Sequence, residues 1–354
     1  MLIVNAKDLK RATDVLAASV DTGGLEELTY VALFPRKGAA FLWGTDMITF
    51  SRIKFPATMT KKLRPLLLPF VDLRQFAGVW DGEIGIEDRD NVARLTCGVD
   101  YVDLPLGSNL KEFTERFDVD TKPKGVAKLA NLSQCVRLTS PLIATDHAVQ
   151  GLTGLHLVSD SKTVNFEAAD GFRYMIIEEP ATIKGKFDVV VSHKAGRLFS
   201  MLDGAAKLTV SSNHVHVQTA EGEFSVLQLS ADFPDLKETG KQKAGAVVFN
   251  VKEMKQMLNK AKLVMYGKKI IELWLTDIIV CKATDDSETR EFRGEMTARK
   301  LGKGTRKIFL DIRHLSYLLD ILATDSCKLI LGKTESDPAW FSAEGLTYWM
   351  LPFS

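Results

Sequence analysis

Two hydrophobic periods take turns along the chain. Stretches with apolar residues at i, i+3/i+4 and i+7 mark amphipathic helices, and stretches alternating apolar with polar mark strands that bury one face. Helical spacing recurs in NAKDLKRATDVLAA from Asn5, VAKLANLSQCVRLT from Val126 and NVKEMKQMLNKAKLV from Asn250. Leu9, Ala12 and Leu16 form one such stripe, and Met254, Met257, Leu258 and Ala261 another. A second helical type reads VDLRQFAGVW from Val71, SHKAGRLFSML from Ser192 and DIRHLSYLLDIL from Asp311, each after an apolar strand-like run (LLLPF, FDVVV, KIFL). Strand alternation is clearest in KLTVSSNHVHVQTAEGEFSVLQLS, with turns at Ser212-Asn213 and Glu221-Gly222.

The second-type helices start 121 and then 119 residues apart, far beyond the period of a solenoid or propeller. The pattern predicts an α+β fold of three similar domains, residues 1–120, 121–243 and 244–354, each with two helices packed on antiparallel sheets. The joints DVDTKPK (Asp118–Lys124) and KETGKQKAG (Lys237–Gly245) are polar, Lys-rich and carry Pro or Gly, as linkers do.

Composition adds limits. Hydrophobic residues make up 45% of 354 and charged residues 26%, the balance of a globular protein. No apolar run reaches the length of a membrane span, and the first residues, MLIVNAKDLKRATDVL, carry charges where a signal peptide needs apolar ones. A cytoplasmic protein without a membrane partner is expected. Cys97, Cys135, Cys281 and Cys327 stand apart from one another, outside zinc-ligand spacing, and read as reduced thiols.

Net charge is only +1, from 46 basic and 45 acidic residues. The six predicted helices (6–18, 71–80, 126–139, 192–202, 251–264, 311–322) nevertheless sum to +7, leaving −6 for everything else. Basic helices and acidic strands imply one positive surface. Lysines scattered singly over several helices attract phosphates without reading bases. Candidate phosphate-facing residues, which the resemblance given below would turn toward DNA, are Lys7, Lys10, Arg11, Lys128, Arg137, Lys194, Arg197, Lys252, Lys255 and Lys260.

Signatures of catalysis are missing. The chain has no GxxxxGK[ST] loop, no GxSxG elbow and no HExxH helix. His147, His156, His193, His214, His216 and His314 are scattered; His214 and His216 share a strand face but lack a third ligand nearby. No metal, cofactor or catalytic residue is assigned.

The repeat and three local stretches resemble the beta subunit of bacterial DNA polymerase III, the sliding clamp. GLTGLHLVSDSKTVNFEAADGFRY with its turn Ala169-Asp170-Gly171-Phe172-Arg173-Tyr174, then VVVSHKAGRLFSMLDG and SADFPDLKE, and finally Thr347–Phe353 are similar to the family's second and third domains. In the first domain GTDMITFS and the helix positions match. The resemblance implies a six-domain ring made by a head-to-tail homodimer, encircling duplex DNA without sequence preference, its helices lining the hole. It implies a processivity factor rather than an enzyme, tethering DNA polymerase and binding peptides of polymerase and clamp loader. The implied peptide cleft comprises Leu152, Gly171, Phe172, Arg173, Tyr174, Pro234, Leu351, Pro352 and Phe353. The implied dimer contacts include Tyr101 and Leu263.

Departures from the family pattern are Ala169, Phe172 and Tyr174 in the turn, Glu238 after the F-P-D segment, and the ending at Ser354. The loops DTGGLEE and ATDHAVQG replace the family's basic and aromatic DNA-touching loops, with His147 as a candidate substitute. Two other readings stay open: a clamp-like peptide-binding scaffold with a reduced DNA role, and a metal-dependent nuclease.

Overall fold

The computed structural model describes residues 1–146, 148–237 and 244–353. One series of elements occurs three times. The first is β1 (Leu2–Asn5), α1 (Ala6–Leu16), β2 (Tyr30–Arg36), β3 (Ala39–Thr45), β4 (Thr49–Pro56), β5 (Thr58–Met59), β6 (Leu66–Pro69), α2 (Phe70–Val79), β7 (Glu83–Arg89), β8 (Val92–Cys97) and β9 (Asp100–Pro105), followed by a short α3 (Leu110–Glu115). The second is β10 (Gly125–Leu129), α4 (Leu132–Thr139), β11 (Gly154–Asp160), β12 (Thr163–Ala169), β13 (Arg173–Gly185), β14 (Asp188–Ser192), α5 (Lys194–Phe199), β15 (Ala206–Val210), β16 (His214–Gln218) and β17 (Gly222–Leu227). The third is β18 (Gly245–Asn250), α6 (Val251–Lys262), β19 (Ile270–Leu275), β20 (Ile278–Thr284), β21 (Glu291–Gly302), β22 (Lys307–Asp311), α7 (Ile312–Ile321), β23 (Ser326–Leu331), β24 (Ala339–Ala343) and β25 (Leu346–Met350).

The opening strand of each series pairs antiparallel on both sides: β1 with β5 and β7, β10 with β13 and β15, β18 with β21 and β23. Where the second and third series use one long strand (β13, β21), the first uses β4 and β5, interrupted after Pro56, whose ring removes a ladder donor.

Three of the helices, α1, α6 and α7, follow a strand directly and are capped by the strand's last residue. Asn5 accepts from the Lys7 amide at 2.9 Å, Asn250 from Glu253 at 3.0 Å and Asp311 from Arg313 at 2.8 Å. Each cap satisfies an amide the helix cannot, worth about 1 kcal/mol. The helix expected from Val126 is a correction: Val126–Leu129 belongs to β10, and α4 starts at Leu132. Ala127 and Leu129 alternate inward with period two, and Asn131 occupies the place of Asn5 and Asn250. Asn131 gives its amide and Nδ2 to Glu179, at 3.0 and 3.1 Å.

Contacts between Cα positions divide the chain into two compact units: Met1–Arg137 with Leu157–Val164 and Glu179–Ser230, and Leu138–His156 with Asn165–Glu178 and Ala231–Ser354. Each contains one junction between series, and the two junctions share a register. In the first, β17 pairs β4, from Thr49↔Val226 to Ile53↔Gly222. In the second, β25 pairs β13, from Arg173↔Met350 to Ile177↔Leu346. Adding 124 to either member of any of the five β4–β17 pairs gives the corresponding β13–β25 pair. Among the described residues β9 pairs only β8, and the Glu291–Thr297 half of β21 pairs only β20, so both keep an open edge.

Cys135, Cys281 and Cys327 are buried reduced thiols, their pKa values each pushed up to about 12, chiefly by burial. Cys97 is half-buried and also free.

Candidate functional site

The turn after β12 is built by Asp170. Its Oδ1 accepts from the amides of Phe172 (3.0 Å) and Arg173 (2.8 Å), closing a tight loop. Gly171 sits at φ +87°, where an L side chain is strained. The Arg173 guanidinium returns to Asp170 Oδ2 through Nε (2.8 Å) and Nη2 (2.6 Å) and lies 5.9 Å from the Tyr317 ring. Burial opposes the Arg173 charge, but the bonded Asp170 carboxylate outweighs it and raises the pKa.

The next residue, Tyr174, is fully buried, and its hydroxyl donates to Glu167 Oε2 at 2.8 Å. Glu167 also meets His156 Nδ1 (3.3 Å) and Lys237 Nζ (2.7 Å). Phe233 stacks on His156 with centroids 4.6 Å apart. This network fastens the Phe233–Lys237 segment, with Pro234 inside it, to the sheet. Burial would raise the Glu167 pKa; the bonds from His156, Lys237 and Tyr174 prevail and lower it. A depressed carboxyl stabilises the fold above its unfolded pKa and loses that contribution as pH falls through the folded value. Urea midpoints should therefore drop on acidification below about pH 4.5, and Glu167→Gln should flatten the drop. Parallel pH curves for the two proteins would contradict the assignment.

Beyond β25 the chain stays docked: the Leu351 amide donates to the Phe172 carbonyl and that of Phe353 to the Phe309 carbonyl, both at 2.9 Å. Phe172 is 61% exposed, and Leu351 and Phe353 are also exposed. Beneath lies an apolar cluster of Leu152, Ala169, Tyr174, Ile176, Trp340 and Trp349, with Phe233 and Leu236 packed against it. All nine cleft residues expected from the sequence thus fall in the second unit. Tyr174 lies beneath this surface rather than on it, and the Arg173 guanidinium is held by Asp170. Trp340 and Trp349 were missed: they are 9% and 3% exposed, and each buries an indole N–H with no acceptor among the described residues. The signal lay in the sequence PAWFSAEGLTYWM, two apolar aromatic runs that form adjacent strands buried on both faces around the pair Trp340↔Trp349.

The basic residues separate into free and engaged. Within the observed bounds α1, α2, α4, α5, α6 and α7 carry +1, 0, +1, +2, +3 and 0, still a total of +7. Lys128 lies on β10, not on a helix as expected. Lys10 pairs with Asp14, which Arg74 also reaches at 3.0 Å. Arg11 is held by Asp203 and Glu221, both at 2.9 Å, and by the Met201 carbonyl at 2.7 Å. Lys194 pairs with buried Asp46, and Lys255 lies 3.7 Å from Asp320. Arg137 folds back on Ser133 of its own helix, at 3.1 and 3.2 Å. Lys7, Arg197, Lys252 and Lys260 are exposed without an ion pair among the described residues, as is Lys262, which the sequence reading passed over. Positive charge free to meet phosphates is therefore densest on α6.

Tyr101 lies on the open strand β9, 61% exposed, with Arg94 4.1 Å from its ring centroid. Leu263 caps α6 and is 74% exposed. His147, Glu238 and Ser354 lie outside the described residues. Among the described residues no group of three His, Cys, Asp or Glu side chains is placed to hold a metal, and no helix is long and apolar enough to cross a membrane.

Solved structures share this arrangement over the full chain. The DNA polymerase III beta subunit of Thermotoga maritima superposes with a TM-score of 0.86 at 15% identity, covering 100% of both chains. The chain has the sliding-clamp fold. The beta subunit of Pseudomonas aeruginosa gives 0.85 at 19% identity, again over 100% of both chains. A sliding clamp of the same organism bound to griselimycin gives 0.85 at 18% identity, covering 99% of this chain and 98% of that one. No family model and no curated protein matches the sequence. The fold is therefore shared at 15% to 19% identity.

Proposed function

We propose that this chain is the protomer of a DNA sliding clamp, a non-enzymatic processivity factor whose homodimer encircles duplex DNA. The single observation that carries this reading is the repeated junction. The closing strand of one series adds to the preceding series twice in the same register, β17 to β4 and β25 to β13. The same rule applied once more needs β9 to add to β21, and within one chain both edges stay open. An open edge is a template for pairing, and a second copy placed head to tail closes both at once. Tyr101 is on that edge, and Leu263 is a second proposed contact. In this reading the three domains are residues 1–120, 121–243 and 244–354.

The basic helices give the ring its attraction for DNA without base contacts, which lets it slide rather than lodge at one sequence. The cluster under Phe172, Leu351 and Phe353 serves as the cleft for peptides of DNA polymerase and clamp loader. That a neighbour of the same fold binds griselimycin supports a ligand cleft on such a chain. A cytoplasmic location agrees with work on DNA.

A second reading, a clamp-like peptide-binding scaffold with a reduced DNA role, is favoured by one observation. Lys10, Arg11, Lys194 and Lys255, four of the ten candidate DNA contacts, already have acidic partners.

Sedimentation over a range of concentrations tests ring formation. The expected mass is twice that of the chain, and Tyr101→Lys with Leu263→Lys should shift the population toward monomer. A monomer throughout, or an open series of higher oligomers, contradicts head-to-tail closure.

A further inference from the structure

We propose that the first unit carries a second docking groove, the repeat counterpart of the cleft in the second unit, shaped for an acidic peptide with aromatic anchors. Its place follows from the shared register. The β4–β17 junction corresponds to β13–β25, and the turn before it is built the same way. Asp46 Oδ1 accepts from the amides of Ile48 (3.0 Å) and Thr49 (2.7 Å), as Asp170 does from Phe172 and Arg173. Met47 takes the left-handed position, at φ +68°, that Gly171 occupies in the other copy. Holding a methionine there costs backbone strain, so the turn is kept despite an unsuitable residue.

Two cavities adjoin at this junction, about 540 and 470 Å³, and share Arg52, Gln218 and Glu223 in their walls. The larger has Phe50, Phe117 and Phe224 in its wall, and its charged groups balance, Arg52 and Lys207 against Asp118 and Glu223, so that it can take an uncharged aromatic anchor. The smaller holds Phe34, Phe41 and Trp43 beside Arg36, Arg52 and Lys54. Strand register explains this grouping. Phe34 pairs Phe41, which pairs Lys54, and Trp43 pairs Arg52, so rings and cations alternate on one face of β2–β3–β4. Phe34 and Trp43 are in ring contact at 4.5 Å, with the Arg52 guanidinium 4.5 Å above Trp43.

Charge decides the partner. Glu223, 3.4 Å from Arg52, is the one acidic residue lining the smaller cavity, against three cations. Arg36 and Lys54 are exposed and have no ion pair among the described residues. The floor of the cleft in the second unit is instead apolar, with two indole donors. The two grooves therefore select different partners. Acidic side chains of the peptide meet Arg36 and Lys54, and its aromatic residues enter the larger cavity.

The full chain labelled with 5-fluorotryptophan separates the two sites, because Trp43 reports on one and Trp340 and Trp349 on the other. Fluorine resonances are assigned with single Trp→Phe variants. Acetyl-Asp-Asp-Phe-Asp-Phe-amide should shift the Trp43 resonance saturably. The Asn-for-Asp version should bind at least tenfold more weakly, and Arg36→Glu with Lys54→Glu should produce the same loss. Both substitutions are on exposed side chains, and an unchanged resonance of Trp80, which lies in the same unit, confirms that the variant is folded. A Trp43 signal unmoved by the acidic peptide, or moved equally by the Asn version, overturns the proposal. Tighter binding of a single-stranded oligothymidylate at Trp43 also overturns it, in favour of nucleic acid. Failure of the cleft in the second unit to bind a Leu- and Phe-bearing peptide would appear at Trp340 and Trp349 and leave this test intact.

Discussion

Replacing Leu351 and Phe353 by Ala is expected to weaken binding of a Leu- and Phe-bearing peptide about 8- to 60-fold while leaving the proposed dimer intact. Full burial of one such side chain is worth about 1.5–3 kcal/mol. Leu351 is 37% and Phe353 43% exposed, so only that part remains to be covered by a partner. The two together then contribute about 1.2–2.4 kcal/mol, which sets the quoted range. Fold and ring should be untouched, because the backbone bonds to Phe172 and Phe309 remain and the β9 and β21 edges are elsewhere in the topology. Fluorescence anisotropy of a labelled peptide reads the affinity, and sedimentation reads the dimer. Unchanged affinity would move the cleft away from the chain's last residues.

The second large effect is electrostatic. Changing Lys252, Lys255 and Lys260 of α6 to Glu should lower duplex affinity at about 50 mM salt by tenfold or more. The dependence of log K on log salt should become shallower by about one unit or more, since each lost phosphate contact releases about one fewer counterion. The helix should persist, because its apolar stripe Met254, Met257, Leu258 and Ala261 is buried and all three lysines lie off it. An unchanged salt slope would place α6 away from DNA and favour the peptide-binding scaffold. By contrast Arg11→Ala should change DNA affinity little, its charge being already spent on Asp203 and Glu221. Its loss would act on the first unit's own packing.

Much of this was legible in the sequence because helix stripes and caps are local. Asn5, Asn250 and Asp311 mark where α1, α6 and α7 begin, and the stripes behind them point inward as the spacing requires. Val126–Leu129 misled because a five-residue strand and the first turn of a helix look alike when Lys128 and Ala130 punctuate an apolar run. Asn131, in the place of the other caps, was the better guide. The residues proposed for the cleft fall together in the second unit, but the sequence does not tell which are surface and which lie beneath. Whether Tyr174 lines or underlies the surface depends on Phe233, which lies against its ring, and on Lys237, which shares the buried Glu167 with it, both some sixty residues away. Nor does a count of lysines tell which are free, since Asp203, Glu221 and Asp46 come from other parts of the chain.

Encirclement is tested most directly by topology. The protein is incubated at high concentration with nicked circular duplex, separated from unbound chains by gel filtration in high salt, and followed before and after one restriction cut. A closed ring remains with the circle and is lost within minutes of linearisation, because only a free end lets it slide off. Equal retention on circular and linear DNA would mean that the protein grips the duplex from outside, and no retention on the circle would mean that no ring closes around it.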